Sequence, residues 1–178
     1  GNYAVSETAD DLFRGLAASA KPRAFTFAHV GGRYADLRMH DPEVELAVEV
    51  HSAWGTFEWL VDDALKQGYR IGICANSDGH KGRPGASYPG ASQFGSYGGL
   101  TCVLAGALDR ESVLEALTAR HFYATTGNRP LLEVELVTGD GRSATMGDVI
   151  QIGTGTPRLH VRALATAPIE GIEVRNGR

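Results

Sequence analysis

Residues 45–78 read ELAVEVHSAWGTFEWLVDDALKQGYRIGICANSD. The opening ELAVEVH, residues 45–51, has a nearly continuous apolar interior, the pattern of a strand covered on both faces. Phe57, Leu60, Val61, Ala64 and Leu65 then recur at i, i+3, i+4, i+7 and i+8, which predicts a helix capped by Thr56 and stopped by Gly68. RIGICANSD, residues 70–78, is a second apolar strand. Strand, helix and strand in succession specify a parallel βαβ unit.

Working outward from that unit, Thr8 caps a short helix with Asp10 and Asp11 in its first turn and Leu12, Phe13 and Leu16 on its apolar stripe. AFTFAHV, residues 24–30, is a strand, and a loop with Gly31, Gly32 and Asp41-Pro42 joins it to residue 45. Beyond the unit, a glycine-rich stretch leads to LTCVLAG, residues 100–106, and to a helix capped by Asp109 and built on Val113, Leu114 and Leu117. From about residue 130 the helical period is gone. LLEVELV (131–137), a turn over Thr138 to Arg142, ATMGDVI (144–150), RLHVRALA (158–165) and GIEVRN (171–176) read as short strands. Residues 1–129 are therefore expected to form an α/β unit. Residues 130–178 are expected to form a β-rich extension, incomplete because Asn176-Gly177 signals a hairpin with no second strand.

Composition narrows the class. With 178 residues, 43% of them hydrophobic and 21% charged, the chain is neither collagen, a disordered tail nor a disulfide scaffold. Lys and Arg number 17 against 21 Asp and Glu, with no basic run of the kind that grips nucleic acid. No apolar run approaches the roughly 20 residues of a membrane span, and GNYAVSETADD resembles neither leader nor anchor, which leans toward a cytoplasmic location unless a precursor carries one. Cys74 and Cys102 lie in apolar runs and read as small buried hydrophobes. The length falls short of the roughly 250 residues of a complete (β/α) barrel.

Chemistry gathers at strand ends. His29 ends the first strand, Glu49 and His51 the second, and Asp78 and His80 the third. Glu49 and His51 are two apart and so share a face of their strand, and Gly79 lets the chain turn between Asp78 and His80. Each alone fits a loop, a polar strand end or a turn. Together, imidazole and carboxylate at three successive strand ends suit zinc, manganese or iron, with a metal-bound water as nucleophile. Lys81 and Arg83 follow directly in the glycine-rich stretch and could hold an anionic group beneath a lid, and Thr56 with the N-terminus of its helix offers a second anion site. His40, His121 and His160 read as surface or structural, Trp54 and Trp59 as packing, and Tyr123 as structural.

The order His29-Val-Gly-Gly, Val48 to Trp59, Asn76-Ser-Asp-Gly-His80 and Tyr123-Ala-Thr-Thr-Gly127 resembles the PHP (polymerase and histidinol phosphatase) superfamily of metallohydrolases, and within it the CehA/McbA-type branch. The resemblance runs over about residues 7–150. It implies a distorted (β/α)7 barrel with two or three divalent metal ions at the C-terminal ends of its strands, hydrolysing a small phosphoester or carboxylic ester. Position by position it implies that His29 is a ligand, that Glu49 or His51 is one, and that Asp78 and His80 form the closing Asp-x-His pair. The family's opening His-x-His strand has no counterpart before His29. The expected fold is thus the C-terminal half of such a barrel plus the β extension, with the remaining strands supplied by chain outside this segment or by a second copy. The alternatives are a metal- or ligand-binding module without catalysis, or a degenerate domain kept for assembly.

Overall fold

The computed structural model describes residues 7–19, 24–31, 34–82, 94 and 96–175. Helix α1 (Ala9–Ala18) starts where Thr8 accepts a hydrogen bond from the Asp11 amide, and it buries Phe13. Strand β1 (Thr26–Ala28) runs parallel to β2 (Glu45–Ser52), with Ala28 opposite Val48. A two-residue strand β3 (Gly55–Thr56) folds back antiparallel on the end of β2, pairing Thr56 with His51. Helix α2 (Glu58–Lys66) follows, and Gly68, at φ +77°, lets the chain leave it. Strand β4 (Gly72–Ala75) then lies parallel to β2.

The βαβ unit therefore forms as its periodicity requires, and it is covered on both faces. On one face Leu60 and Ala64 of α2 pack on Val48, Val30 and Leu37. On the other, Ala47 and Cys74 pack with Phe122. Burial pushes the Cys74 thiol up to about 12, with the Glu49 charge adding to it, so the sulfur stays protonated at neutral pH and acts as a hydrophobe.

The barrel expected from the family resemblance does not form. Among the described residues there are three open sheets: β1, β2, β3 and β4; β5 (Leu100–Val103) with β6 (Phe122–Thr125); and a third sheet at the C-terminal end. A barrel needs every strand to run parallel to its neighbour. Here β5 and β6 are antiparallel, from Leu100 opposite Thr125 to Val103 opposite Phe122. The Leu104 amide extends that ladder by donating to His121 O at 2.8 Å. The chain thus leaves β5 and enters β6 at the same end of the pair, and helix α3 (Arg110–Thr118), capped by Asp109, is an excursion across that end. A fold of half a (β/α)7 barrel is excluded by that reversal.

Strand β7 (Leu131–Val137) forms the centre of the third sheet, between β8 (Ser143–Thr145) and β9 (Arg158–Leu164), both antiparallel to it. Two of the expected strands are cut back. The run 144–150 stops at Thr145, where Gly147 turns at φ +91° and the Asp148 amide donates to Thr145 O, and residues 171–175 form no strand. Among the described residues, two joints tie this sheet to the rest. Tyr123, 8% exposed, donates its hydroxyl to Pro130 O at 2.7 Å and accepts from the Leu132 amide. Asp148 bonds His121 Nε2 at 2.8 Å and accepts from the Thr145 amide at 2.9 Å.

The second joint is pH-sensitive. The hydrogen bond from His121, followed by that from the Thr145 amide, holds the Asp148 carboxyl below its ordinary 3.8. A depressed folded-state value contributes stability above 3.8 that is lost as pH falls through the folded value. Acid unfolding of the native chain should therefore steepen below about pH 4, and Asp148→Asn should flatten that part of the curve, as read by far-ultraviolet circular dichroism.

Candidate functional site

Three parallel strand ends meet at Glu49. Because Ala28 stands opposite Val48, the next residue on each strand, His29 and Glu49, are brought side by side. Because Glu49 stands opposite Cys74, Asn76 reaches it from just beyond β4. His29 Nδ1 makes a short hydrogen bond to Glu49 Oε2. Asn76 Nδ2 donates to Glu49 Oε1 at 2.7 Å. The Glu49 side chain is only 4% exposed, so both carboxylate oxygens lie buried and both are satisfied. A carboxylate oxygen that accepts at Nδ1 selects the ring tautomer with its proton there. His29 is 38% exposed, and its Nε2 makes no hydrogen bond to the described residues.

His51 goes elsewhere. The register slips between Glu49 and His51, so that Val50 has no partner on β4, and the two side chains reach different groups. His51 Nε2 lies 2.8 Å from Tyr97 O, a carbonyl that can only accept, so Nε2 carries the proton. In the neutral ring Nδ1 then accepts from the Thr56 hydroxyl at 2.7 Å. Both ring nitrogens are engaged by protein groups, and His51 acts as a clasp between β2, β3 and the end of the glycine-rich stretch. This also corrects the expected role of Thr56. Phe57, not Thr56, is the N-cap residue of α2 and supplies no side-chain cap, and the Thr56 hydroxyl that was expected to supply a cap or an anion site is bonded to His51.

Asp78 sits at φ +49°, a left-handed backbone uncommon outside glycine. Ser52 Oγ lies 3.4 Å from its Oδ2, and the Ser52 hydroxyl itself accepts from the Trp54 amide. His80 donates from Nδ1 to Asp78 O at 2.9 Å, leaving Nε2 as the acceptor nitrogen of a half-exposed ring. Its ring stands nearly perpendicular to that of Phe94, with centres 5.0 Å apart, and Phe94 stacks on Trp54 with ring centres 4.4 Å apart. Lys81 is exposed just beyond His80, and Arg83 lies outside the described residues.

Of the five residues expected to hold metal, the structure thus joins His29 to Glu49 and places Asp78 with His80. Among the described residues no group of three or more His, Cys, Asp or Glu side chains gathers as a metal would require. The donors left for an ion among the described residues are Nε2 of His29, Nε2 of His80 and the Asp78 carboxylate. Two large described cavities, of about 620 and 1030 Å³, lie on the Val50 and Ile73 side of the sheet and are not lined by these residues.

An uncharacterized protein of Chlamydia pneumoniae is 31% identical over 169 residues, covering 80% of this chain and 26% of that protein. Uncharacterized proteins of Chlamydia trachomatis serovar D and Chlamydia muridarum are 29% and 28% identical, with 25% and 26% of their length covered. The chain spans about a quarter of the length of the curated relatives it matches. No family model matches the chain, and no solved structure matches it. No helix among the described residues is long and apolar enough to cross a membrane.

Proposed function

We propose that this chain contributes part of the site of a divalent-metal-dependent hydrolase acting on a small phosphoester or carboxylic ester, as the PHP-type motifs imply. The observation that carries the reading is the His29 ring, held at Nδ1 by a buried carboxylate with Nε2 unbonded among the described residues, at the shared C-terminal end of three parallel strands. Such ends are where function collects in α/β sheets. A histidine whose other nitrogen is held by a carboxylate is also the usual form of a metal ligand. Donors on this chain are His29 through Nε2, His80 through Nε2, and Asp78, with zinc, manganese or iron the ions that suit them. The remaining ligands come from chain beyond these residues or from a second copy. Bound there, a divalent ion acidifies water and so supplies a nucleophile at neutral pH.

Equilibrium dialysis with zinc or manganese, followed by metal analysis, tests the reading. The native chain should retain at least one ion, and His29→Ala should weaken retention by about tenfold or more. Hydrolysis of an aryl phosphate or aryl ester that a chelator abolishes would extend the result to catalysis. Metal retained without turnover would favour a binding module, and a chain that retains no metal and whose stability ignores chelator would end the proposal.

A further inference from the structure

We infer that Asn76 is a positioning residue, whose amide fixes Glu49 so that Glu49 in turn fixes the ring orientation and tautomer of His29. The inference takes its functional meaning from the metal-site reading above, but its geometry stands by itself. Glu49 has two oxygens and two partners: Asn76 Nδ2 at 2.7 Å on Oε1 and His29 Nδ1 on Oε2. A carboxylate at 4% exposure has little water to turn toward, so the Asn76 donor decides which way its plane faces. Asn76 is itself anchored from both sides by backbone bonds. Its amide donates to His51 O at 3.1 Å, and its carbonyl accepts from the Gly99 amide at 2.8 Å.

That anchoring is tight. A Cβ on Gly99 would overlap Ala75 Cβ and stand 2.9 Å from Thr125 O, and a Cβ on Gly98 would stand 2.6 Å from Ser77 O. The backbone of 98–99 is thus pressed against 75–77, and residue 76 keeps its place whatever side chain it carries. The chain Asn76–Glu49–His29 links the ends of β4, β2 and β1. Only its last member is exposed, at an atom with no hydrogen-bond partner among the described residues. Loss of the first link lets the Glu49 carboxylate rotate away from Nδ1, and the His29 ring then samples both tautomers and other rotamers.

The test uses the 178-residue chain labelled with 15N-histidine, with His29→Gln assigning the signal. Long-range 1H–15N correlation spectra of the metal-free native protein should show His29 protonated at Nδ1. Asn76→Leu keeps the branching at Cγ without a donor, and Asn76→Ala removes the branch altogether. Either should convert His29 to a tautomer mixture while the signal of His51, held by Thr56 and Tyr97, is unchanged. Zinc affinity, measured against a chromophoric chelator, should fall about tenfold. An unchanged His29 tautomer in folded variants overturns the inference, as does a native His29 without the Nδ1 proton, and so does unfolding of both variants, which would make Asn76 merely structural. If the tautomer shifts but the native chain binds no zinc, the metal reading fails and the positioning role stands.

Discussion

Gly147→Ala is expected to destabilise the fold by about 2–5 kcal/mol and to loosen the C-terminal sheet first. Two costs combine at this position. Gly147 sits at φ +91°, where a side chain strains the backbone. A Cβ there would also overlap Arg120 O and stand 2.5 Å from Ala119 O. Those carbonyls close the end of α3, and Arg120 is itself held at φ +61°, so neither can yield without moving the helix end. The displaced turn carries Asp148 away from His121 and breaks the joint they make between α3 and the third sheet. Gly141→Ala is the control, since Gly141 also has positive φ, +84°, but nothing within 4 Å of its Cβ position. Urea unfolding of the two variants isolates the overlap: equal midpoints would show that the α3 end and the 146–148 turn are not packed as described.

What was legible in the sequence was local. Thr8 and Asp109 accept the capping bonds expected of them, from the amides of Asp11 and Ser112, because a cap depends only on the next three residues. The β2–α2–β4 unit was legible because its apolar periods encode which face is covered. Thr56 misled because His51, five residues earlier, takes its hydroxyl across the β2–β3 reversal, and the helical period gives no sign of that reversal. The direction of β6 was equally hidden. Strand, helix, strand is the same string whether the chain crosses over or comes back, and here the Leu104–His121 bond brings it back. The run 144–150 was read as one short strand, although it contains Gly147, a residue that inside a strand pattern signals a bulge or close approach.

The site divides the same way. His29 and Glu49 stood out as polar residues at apolar strand ends, but that they bond each other follows from the register of β1 on β2, which a single sequence does not state. Glu49 and His51 looked like alternatives with one role. The slip at Val50 separates them, so that one supports His29 and the other clasps Thr56 and Tyr97. Asn76 was in view as part of Asn-Ser-Asp-Gly-His, within the strand read over 70–78, and was given no role of its own. The available signal was its spacing: it is two residues after Cys74, which stands directly opposite Glu49.

Leu60→Ala should cost about 2–5 kcal/mol and leave the site geometry intact. Leu60 is fully buried at 0% exposure, in a cluster with Val30, Leu37, Val48 and Ala64. Its removal leaves a hole bordered by a sheet on one side and by its own helix on the other, neither of which closes easily over it. On the opposite face of β2, Glu49 takes its bonds from His29 and Asn76, and none of these contacts passes through the Leu60 cluster. Stability and site should therefore separate. Denaturant unfolding should report a large loss, while the 15N signature of His29 in the folded fraction should match that of the native chain. A His29 tautomer that changed with Leu60 would mean that α2, and not the Asn76–Glu49 link, sets the orientation of the ring.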